Sequence, residues 1–132
     1  MMKKLISILL SALMLTGCAG AGNDRTNTYR SVTMEEAVTM MERERGYIIL
    51  DVRRPDEFAE GHIPSAVNVP NESIGADEIP VLPDKDQLIM VYCRSGRRSK
   101  EASEKLVKLG YTNIVEFGGI LDWKGETVVE KK

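Results

Sequence analysis

Residues 87–100 read QLIMVYCRSGRRSK, and the order of features in this stretch decides the fold that the sequence predicts. The apolar run 87–92 is short and has the character of a strand that is covered on both faces. A loop with one glycine follows at 93–98, and apolar residues then recur at helical spacing over 99–109. Cys93 is therefore expected at the carboxyl end of a strand, immediately before a helix.

The rest of the chain alternates between strand and helix patterns in the same way. Further strands are predicted at 47–52, 66–69 and 113–117, and further helical segments at about 34–44, 55–59 and 118–123. This alternation predicts an α/β fold with an open, mostly parallel sheet and helices on both faces. In such sheets the binding crevice forms at the carboxyl ends of the strands, where both Asp51 and Cys93 are expected.

The composition predicts one globular domain. A chain of 132 residues, 42% of them hydrophobic, is long enough for one core and too short for two. The formal net charge is −2 and basic residues are mixed with acidic ones, so no nucleic acid partner is expected. The exception is the local cluster of Arg94, Arg97 and Arg98, which suggests a small anionic ligand. No metal spacing is visible, and we expect a monomer without a cofactor.

The N-terminus has the pattern of an export signal. Two lysines precede the apolar run 5–15, which is too short to span a bilayer comfortably. Residues 15–18, LTGC, resemble the lipobox of bacterial lipoproteins, which implies that residues 1–17 are removed and that Cys18 is lipidated with several acyl chains. A secretory signal cut near Ala19 or Ala21 is the alternative. We expect an extracytoplasmic protein of the bacterial cell envelope, anchored to a membrane by Cys18, with a flexible tether at 18–28 and a domain at 29–132.

Cysteine usage singles out Cys93. The chain has two cysteines, and lipid on Cys18 would leave Cys93 without a disulfide partner. An unpaired thiol in an exported protein is either deeply buried or kept for its reactivity.

The loop that begins at Cys93 is suited to hold an anion. A loop that curls around the sulfur turns backbone N–H groups inward, and the next helix adds the positive end of its dipole. Gly96 permits the tight curvature, and the arginines add positive charge. This anion cradle, residues 93–99, is expected to stabilise the thiolate and to hold either a persulfide or a phosphoryl-type oxyanion on the sulfur. The residues alone leave these two possibilities open.

Three blocks of sequence carry a family resemblance. They are LDVRRPDEFAEGHIPSAVNVP (50–70), VYCRSGRRS (91–99) and LGYTNIVEFGGILDW (109–123). In this order they resemble the single-domain rhodaneses, which are sulfurtransferases, over nearly the whole chain from Val32 to about Trp123. The resemblance implies that Cys93 takes a sulfane sulfur from a small anionic donor such as thiosulfate and passes it, as a persulfide, to a thiol or sulfite-like acceptor. The substrate-binding residues that it implies are Arg94, Ser95, Gly96, Arg97, Arg98 and Ser99.

Three other functions compete with sulfur transfer. Cysteine phosphatases and arsenate reductases place five residues between cysteine and arginine, whereas Ser99 occupies that position here and Arg98 comes one residue earlier. A non-catalytic rhodanese-like module for binding or sulfur relay stays open. A thiol redox protein would need a second free cysteine to resolve the first.

Several residues outside the loop have structural interpretations. Asp51 and Arg53 could line the rim of the pocket, but pairing within the scaffold is favoured. Glu57 is expected to support the start of its own helix, and His62 is interpreted as structural. Trp123 is expected to pack in the core, and the charged tail at 126–132 is expected to fray.

Overall fold

The computed structural model describes residues 28–129, in which five strands alternate with three α-helices. The elements in chain order are β1 (Arg30–Ser31), α1 (Met34–Arg43), β2 (Ile48–Asp51), α2 (Pro55–Glu60), β3 (Val67–Asn68), β4 (Ile89–Cys93), α3 (Arg97–Lys108) and β5 (Ile114–Gly119). Two short 3-10 turns lie at Asn71–Ser73 and Ile120–Asp122. The strands form one parallel sheet in the order β1-β5-β4-β2-β3, which confirms the predicted fold class.

Both faces of the sheet are apolar, as its central strand β4 shows. All five residues of β4 are buried, and successive side chains point to opposite sides of the sheet. Ile89 and Val91 join the apolar layer under α3, whereas Met90 and Tyr92 join the layer under α1 and α2. A parallel strand covered on both sides needs this unbroken apolar run, and Cys93 is the residue at which the run reaches the carboxyl edge of the sheet.

The turn from β4 into α3 is tighter than predicted. α3 begins at Arg97 rather than Ser99, so two of the three arginines belong to the first helical turn. Gly96, which immediately precedes the helix, has φ of +119°, a backbone conformation that side chains with a Cβ rarely adopt. The left-handed glycine lets the chain reverse from strand to helix within three residues.

The prediction that the C-terminal tail frays is wrong for its first part. Val128 and His62 form an antiparallel bridge in which each backbone N–H donates to the other residue's carbonyl at 2.9 Å. The indole N–H of Trp123 donates to the carbonyl of Glu126 at 2.8 Å, and the half-buried ring packs on the α1 layer. These contacts fasten the chain to the domain up to Val128.

The N-terminal predictions concern residues that the structure does not describe. The signal peptide at 1–17, the lipidated Cys18 and the tether up to residue 27 all lie outside the described residues, as do 130–132. Between residues 28 and 129, no helix has the length and apolar character that crossing a membrane requires.

Candidate active site

Cys93 is the first residue of the anion cradle and the last residue of β4, and three residues separate it from the start of α3. Its residue surface is 1% exposed, and the backbone N–H of Gly96 donates a hydrogen bond to its sulfur at 3.0 Å. The first turn of α3 follows directly, so the positive end of the helix dipole lies beside the sulfur. A donor amide and a helix N-terminus therefore both face the position where an anion bound to this sulfur would lie.

The three arginines of the predicted cradle have different environments. Arg97 forms an exposed pair with Glu101 at 2.8 Å, and its side chain is 76% exposed. Exposed pairs of this kind contribute little to stability, so Arg97 remains available to solvent and ligands. Arg94 is exposed, and its side chain makes no hydrogen bond or ion pair with any residue in the range 28–129.

Arg98 is instead fastened by a carboxylate from α2. Its two terminal nitrogens donate to the two carboxylate oxygens of Glu57 at 2.8 and 3.2 Å, across 41 residues of sequence. The pKa of Arg98 is raised, chiefly by this hydrogen bond and in part by attraction to Cys93. The guanidinium therefore lies within electrostatic range of the sulfur while two of its donors are already used.

Glu57 has two partners, one at the start of its own helix and one in the cradle. Its hydrogen bond from Arg98 is the main cause that lowers its pKa from 4.5 to about 2, and the backbone N–H of Arg54 also donates to it at 2.9 Å. The Arg54 bond is the predicted support of the α2 start. The Arg98 bond was not predicted, because it joins side chains that no local sequence pattern brings together.

Asp51 and Arg53 are held within the scaffold at the end of β2. Asp51 is fully buried and Arg53 is 6% exposed. The guanidinium binds both carboxylate oxygens at 2.7 to 3.0 Å and also donates to the carbonyl of Gly61 at 2.7 Å. Asn68 donates to the carbonyls of both residues. These bonds fix the end of β2 against β3 and the turn after α2.

His62 has the environment of a structural residue. Its ring stacks on Phe58 with centroids 3.7 Å apart, and Nδ1 lies 2.8 Å from the Phe58 carbonyl oxygen. Across residues 28–129, no group of three or more His, Cys, Asp and Glu side chains is arranged to hold a metal ion.

Two features of the site were missed by the sequence analysis. Glu116, in β5, is 1% exposed and binds Ser99 of the cradle at 2.6 Å. Its signal in the sequence is a single charged residue inside the apolar run IVEF. Gly119 lies so close to the cradle that a Cβ there would overlap the carbonyl of Arg94. Only glycine permits this approach of two backbone segments.

The comparisons with known proteins define the class to which this fold and site belong. Residues 33–126 match the family described as "Rhodanese-like domain", and residues 2–19 match a prokaryotic membrane lipoprotein lipid attachment site. The chain therefore belongs to the rhodanese-like domain family and carries a lipoprotein attachment site at its N-terminus. Both resemblances that the sequence predicted are confirmed.

Individual relatives place the chain among sulfurtransferases. It is 36% identical over 73 residues to thiosulfate sulfurtransferase PspE of Escherichia coli strain K12, an alignment that covers 55% of this chain and 70% of PspE. It is 39% identical over 79 residues to a sulfurtransferase of Allochromatium vinosum, covering 58% of this chain and 70% of that protein.

Solved structures agree with the family assignment. The structure described as "rhodanese with anions from E. coli" has a TM-score of 0.58 and 32% identity, and the match covers 64% of this chain and 99% of that one. A rhodanese-related protein from Thermoplasma volcanium has a TM-score of 0.63 and 32% identity, with 77% and 100% covered. The predicted fold is thus that of solved members of the same family.

Proposed function

We propose that this protein is a sulfurtransferase that moves a sulfane sulfur from a donor such as thiosulfate to a thiophilic acceptor through a persulfide on Cys93. The observation that carries the proposal is the 3.0 Å hydrogen bond from the Gly96 N–H to the Cys93 sulfur, at the start of α3. The same N–H group and helix end that stabilise a thiolate also suit the terminal sulfur of a persulfide anion.

The proposed cycle has two displacements at sulfur. The Cys93 thiolate attacks the outer sulfur of thiosulfate, a new S–S bond forms, and sulfite leaves with the electron pair of the bond that breaks. A thiol, sulfite or cyanide acceptor then attacks the terminal sulfur, takes it, and regenerates the thiolate. No general base is needed, because an ionised sulfur attacks directly.

The three arginines are proposed to bind the sulfur donor in different ways. The side-chain donors of Arg94 have no partner among residues 28–129, so it is the cation best able to bind the sulfonate-like oxygens of thiosulfate. Arg98 contributes charge from a fixed position, because Glu57 occupies two of its donors. Arg97 contributes long-range attraction that salt screens. Ser95 lies exposed in the loop, and Ser99 supports the cradle from inside.

A competing function is a rhodanese-like module that binds anions or relays sulfur without turnover. The burial of Cys93, at 1% exposure, is the observation that favours it. Steady-state thiocyanate formation from thiosulfate and cyanide separates the two, because only an enzyme releases product over many cycles. The full chain is expected to turn over, and Cys93→Ser is expected to keep the fold and lose the activity. Equal activity in both proteins would reject Cys93 as the nucleophile.

The N-terminal segment is proposed to anchor the domain. Cleavage before Cys18 and acylation of Cys18 would tether residues 29–132 to a membrane of the cell envelope, on its extracytoplasmic side, and two or more acyl chains make such anchoring stable. Membrane fractionation of the native chain and of Cys18→Ala tests this. The native protein is expected in the membrane pellet with an added lipid mass, and a soluble, unmodified native protein would reject the anchor. Size-exclusion chromatography of the Cys18→Ala chain tests the expected monomer.

A further inference from the structure

Glu116 is a buried carboxylate that lies behind the anion cradle and has no part in the chemistry proposed above. Its Oε1 accepts a hydrogen bond from Ser31 Oγ at 2.9 Å and lies 3.4 Å from Lys100 Nζ. Its Oε2 accepts from Ser99 Oγ at 2.6 Å and from the Gly118 N–H at 2.8 Å. Donors therefore surround both oxygens, which is the condition under which a carboxylate is tolerated in a core.

Two of these four partners touch the cradle: Ser99 belongs to it, and Gly118 of β5 packs against it. Ser99 lies in the first turn of α3, and its Oγ is also 2.9 Å from the carbonyl oxygen of Gly96. Gly118 packs on Gly96, since a Cβ built on Gly96 would lie 3.7 Å from the Gly118 Cα. The residue that donates to the Cys93 sulfur is thus held from both sides by groups that Glu116 binds.

The carboxylate of Glu116 sets the direction of the Ser99 hydroxyl. A hydroxyl has one proton, and the shorter contact, to a carboxylate oxygen at 2.6 Å, is the one that charge strengthens. Ser99 therefore donates to Glu116 and only abuts the Gly96 carbonyl. Glu116 therefore reaches Gly96 from two sides, through Ser99 at the Gly96 carbonyl and through Gly118 beside the Gly96 Cα.

We propose that Glu116 is a positioning residue for Cys93. Glu116 acts by fixing Gly96 so that the backbone N–H of Gly96 points at the Cys93 sulfur. Its meaning for catalysis rests on the proposed sulfur transfer, whereas its effect on the thiol does not. The test is therefore made first without any sulfur donor. The rate at which iodoacetamide alkylates Cys93 in the full chain is followed by mass on the tryptic peptide 86–94, which separates Cys93 from Cys18.

The first comparison is Glu116→Gln, which keeps the shape of the side chain and removes its charge. Alkylation of Cys93 is expected to slow by about fivefold or more, because the hydrogen bond from the Gly96 N–H to the sulfur, which favours the thiolate, is weakened. Glu104→Gln is the matched control, since Glu104 is an exposed carboxylate on α3, and its rate is expected to stay within about twofold of the native rate. An unchanged rate in a folded Glu116→Gln protein overturns the proposal.

The second comparison uses Ser99→Ala and the double variant. If Glu116 acts through Ser99 and Gly118, the effects of the two substitutions on the alkylation rate overlap. The double variant is then expected to be alkylated more slowly than Ser99→Ala by less than about twofold. Losses that multiply would overturn the proposed route. Should Glu116→Gln not fold, Ser99→Ala decides alone: slower alkylation supports the proposal and a native rate overturns it. Failure of native sulfur transfer would count against the proposed function and leave this result standing.

Discussion

Replacement of Glu57 by glutamine is expected to destabilise the domain by an amount that depends on pH. Glu57 and Arg98 form a bidentate pair whose side chains are only 16% and 20% exposed, and it joins α2 to α3. The hydrogen bond from Arg98 is the main cause that lowers the pKa of Glu57 from 4.5 to about 2. At about 1.4 kcal/mol for each unit of pKa, this shift corresponds to about 3.5 kcal/mol as a ceiling. Partial screening by water reduces the expected loss at neutral pH to about 1–3 kcal/mol.

The sign of the pH dependence follows from the direction of the shift. The pKa of Glu57 is lower in the folded than in the unfolded chain, so its contribution is complete above about pH 5 and is lost as the pH falls through about 2. Urea unfolding of the native and Glu57→Gln chains should therefore give free energies that differ at pH 7 and converge toward pH 2. Asp56→Asn, which breaks an exposed ion pair with Arg54, is the control, and its free energy of unfolding should fall much less than that of Glu57→Gln. A difference that is absent at pH 7, or that is the same at every pH, would refute this account of the pair.

Two further predictions concern the donor site and the loop contact. Arg94→Gln should raise the KM for thiosulfate about tenfold or more with a smaller change in kcat, because the proposed guanidinium contact to the sulfur donor is lost. Arg97→Gln is the comparison, and an equal rise in KM for both variants would contradict a specific contact from Arg94. Gly119→Ala should lower the midpoint of thermal unfolding and slow Cys93 alkylation, because a Cβ there overlaps the Arg94 carbonyl. Gly75→Ala is the control and should change neither quantity, since a Cβ at that position meets nothing within 4 Å. A Gly119→Ala protein with the native midpoint and alkylation rate would contradict the close packing.

The parts of the structure that the sequence predicted are those that local patterns encode. The apolar run before Cys93 is continuous and does not alternate with polar residues, so both its burial and its place in a parallel sheet could be inferred from residues in one stretch. β1 escaped prediction because two exposed residues have no periodicity. The start of α3 was placed two residues late because Arg97 and Arg98 are polar, whereas the turn is set by the left-handed backbone of Gly96.

The residues that hold the cradle were harder to predict, because their partners are distant in sequence. Glu57 was assigned to its own helix, which it does support, but its bond to Arg98 spans 41 residues. The three arginines look alike in the sequence, but Arg97 pairs with Glu101 one turn along α3, whereas Arg98 pairs with Glu57 of α2. Glu116 had a local signal, a charge within an apolar strand, yet its partners on β1 and α3 became visible only with the sheet order.

The measurement that tests the central claim most directly is the mass of the Cys93 peptide after the full chain is incubated with thiosulfate. Digestion without reductant, after excess thiols are blocked, isolates residues 86–94, in which Cys93 is the one thiol. The account predicts that the blocked peptide is heavier by one sulfur atom than the same blocked peptide from protein without thiosulfate, and that this difference disappears when cyanide is added before blocking. A peptide that keeps its original mass at every donor concentration, in a protein that is folded and whose thiol is free, would contradict the proposed persulfide.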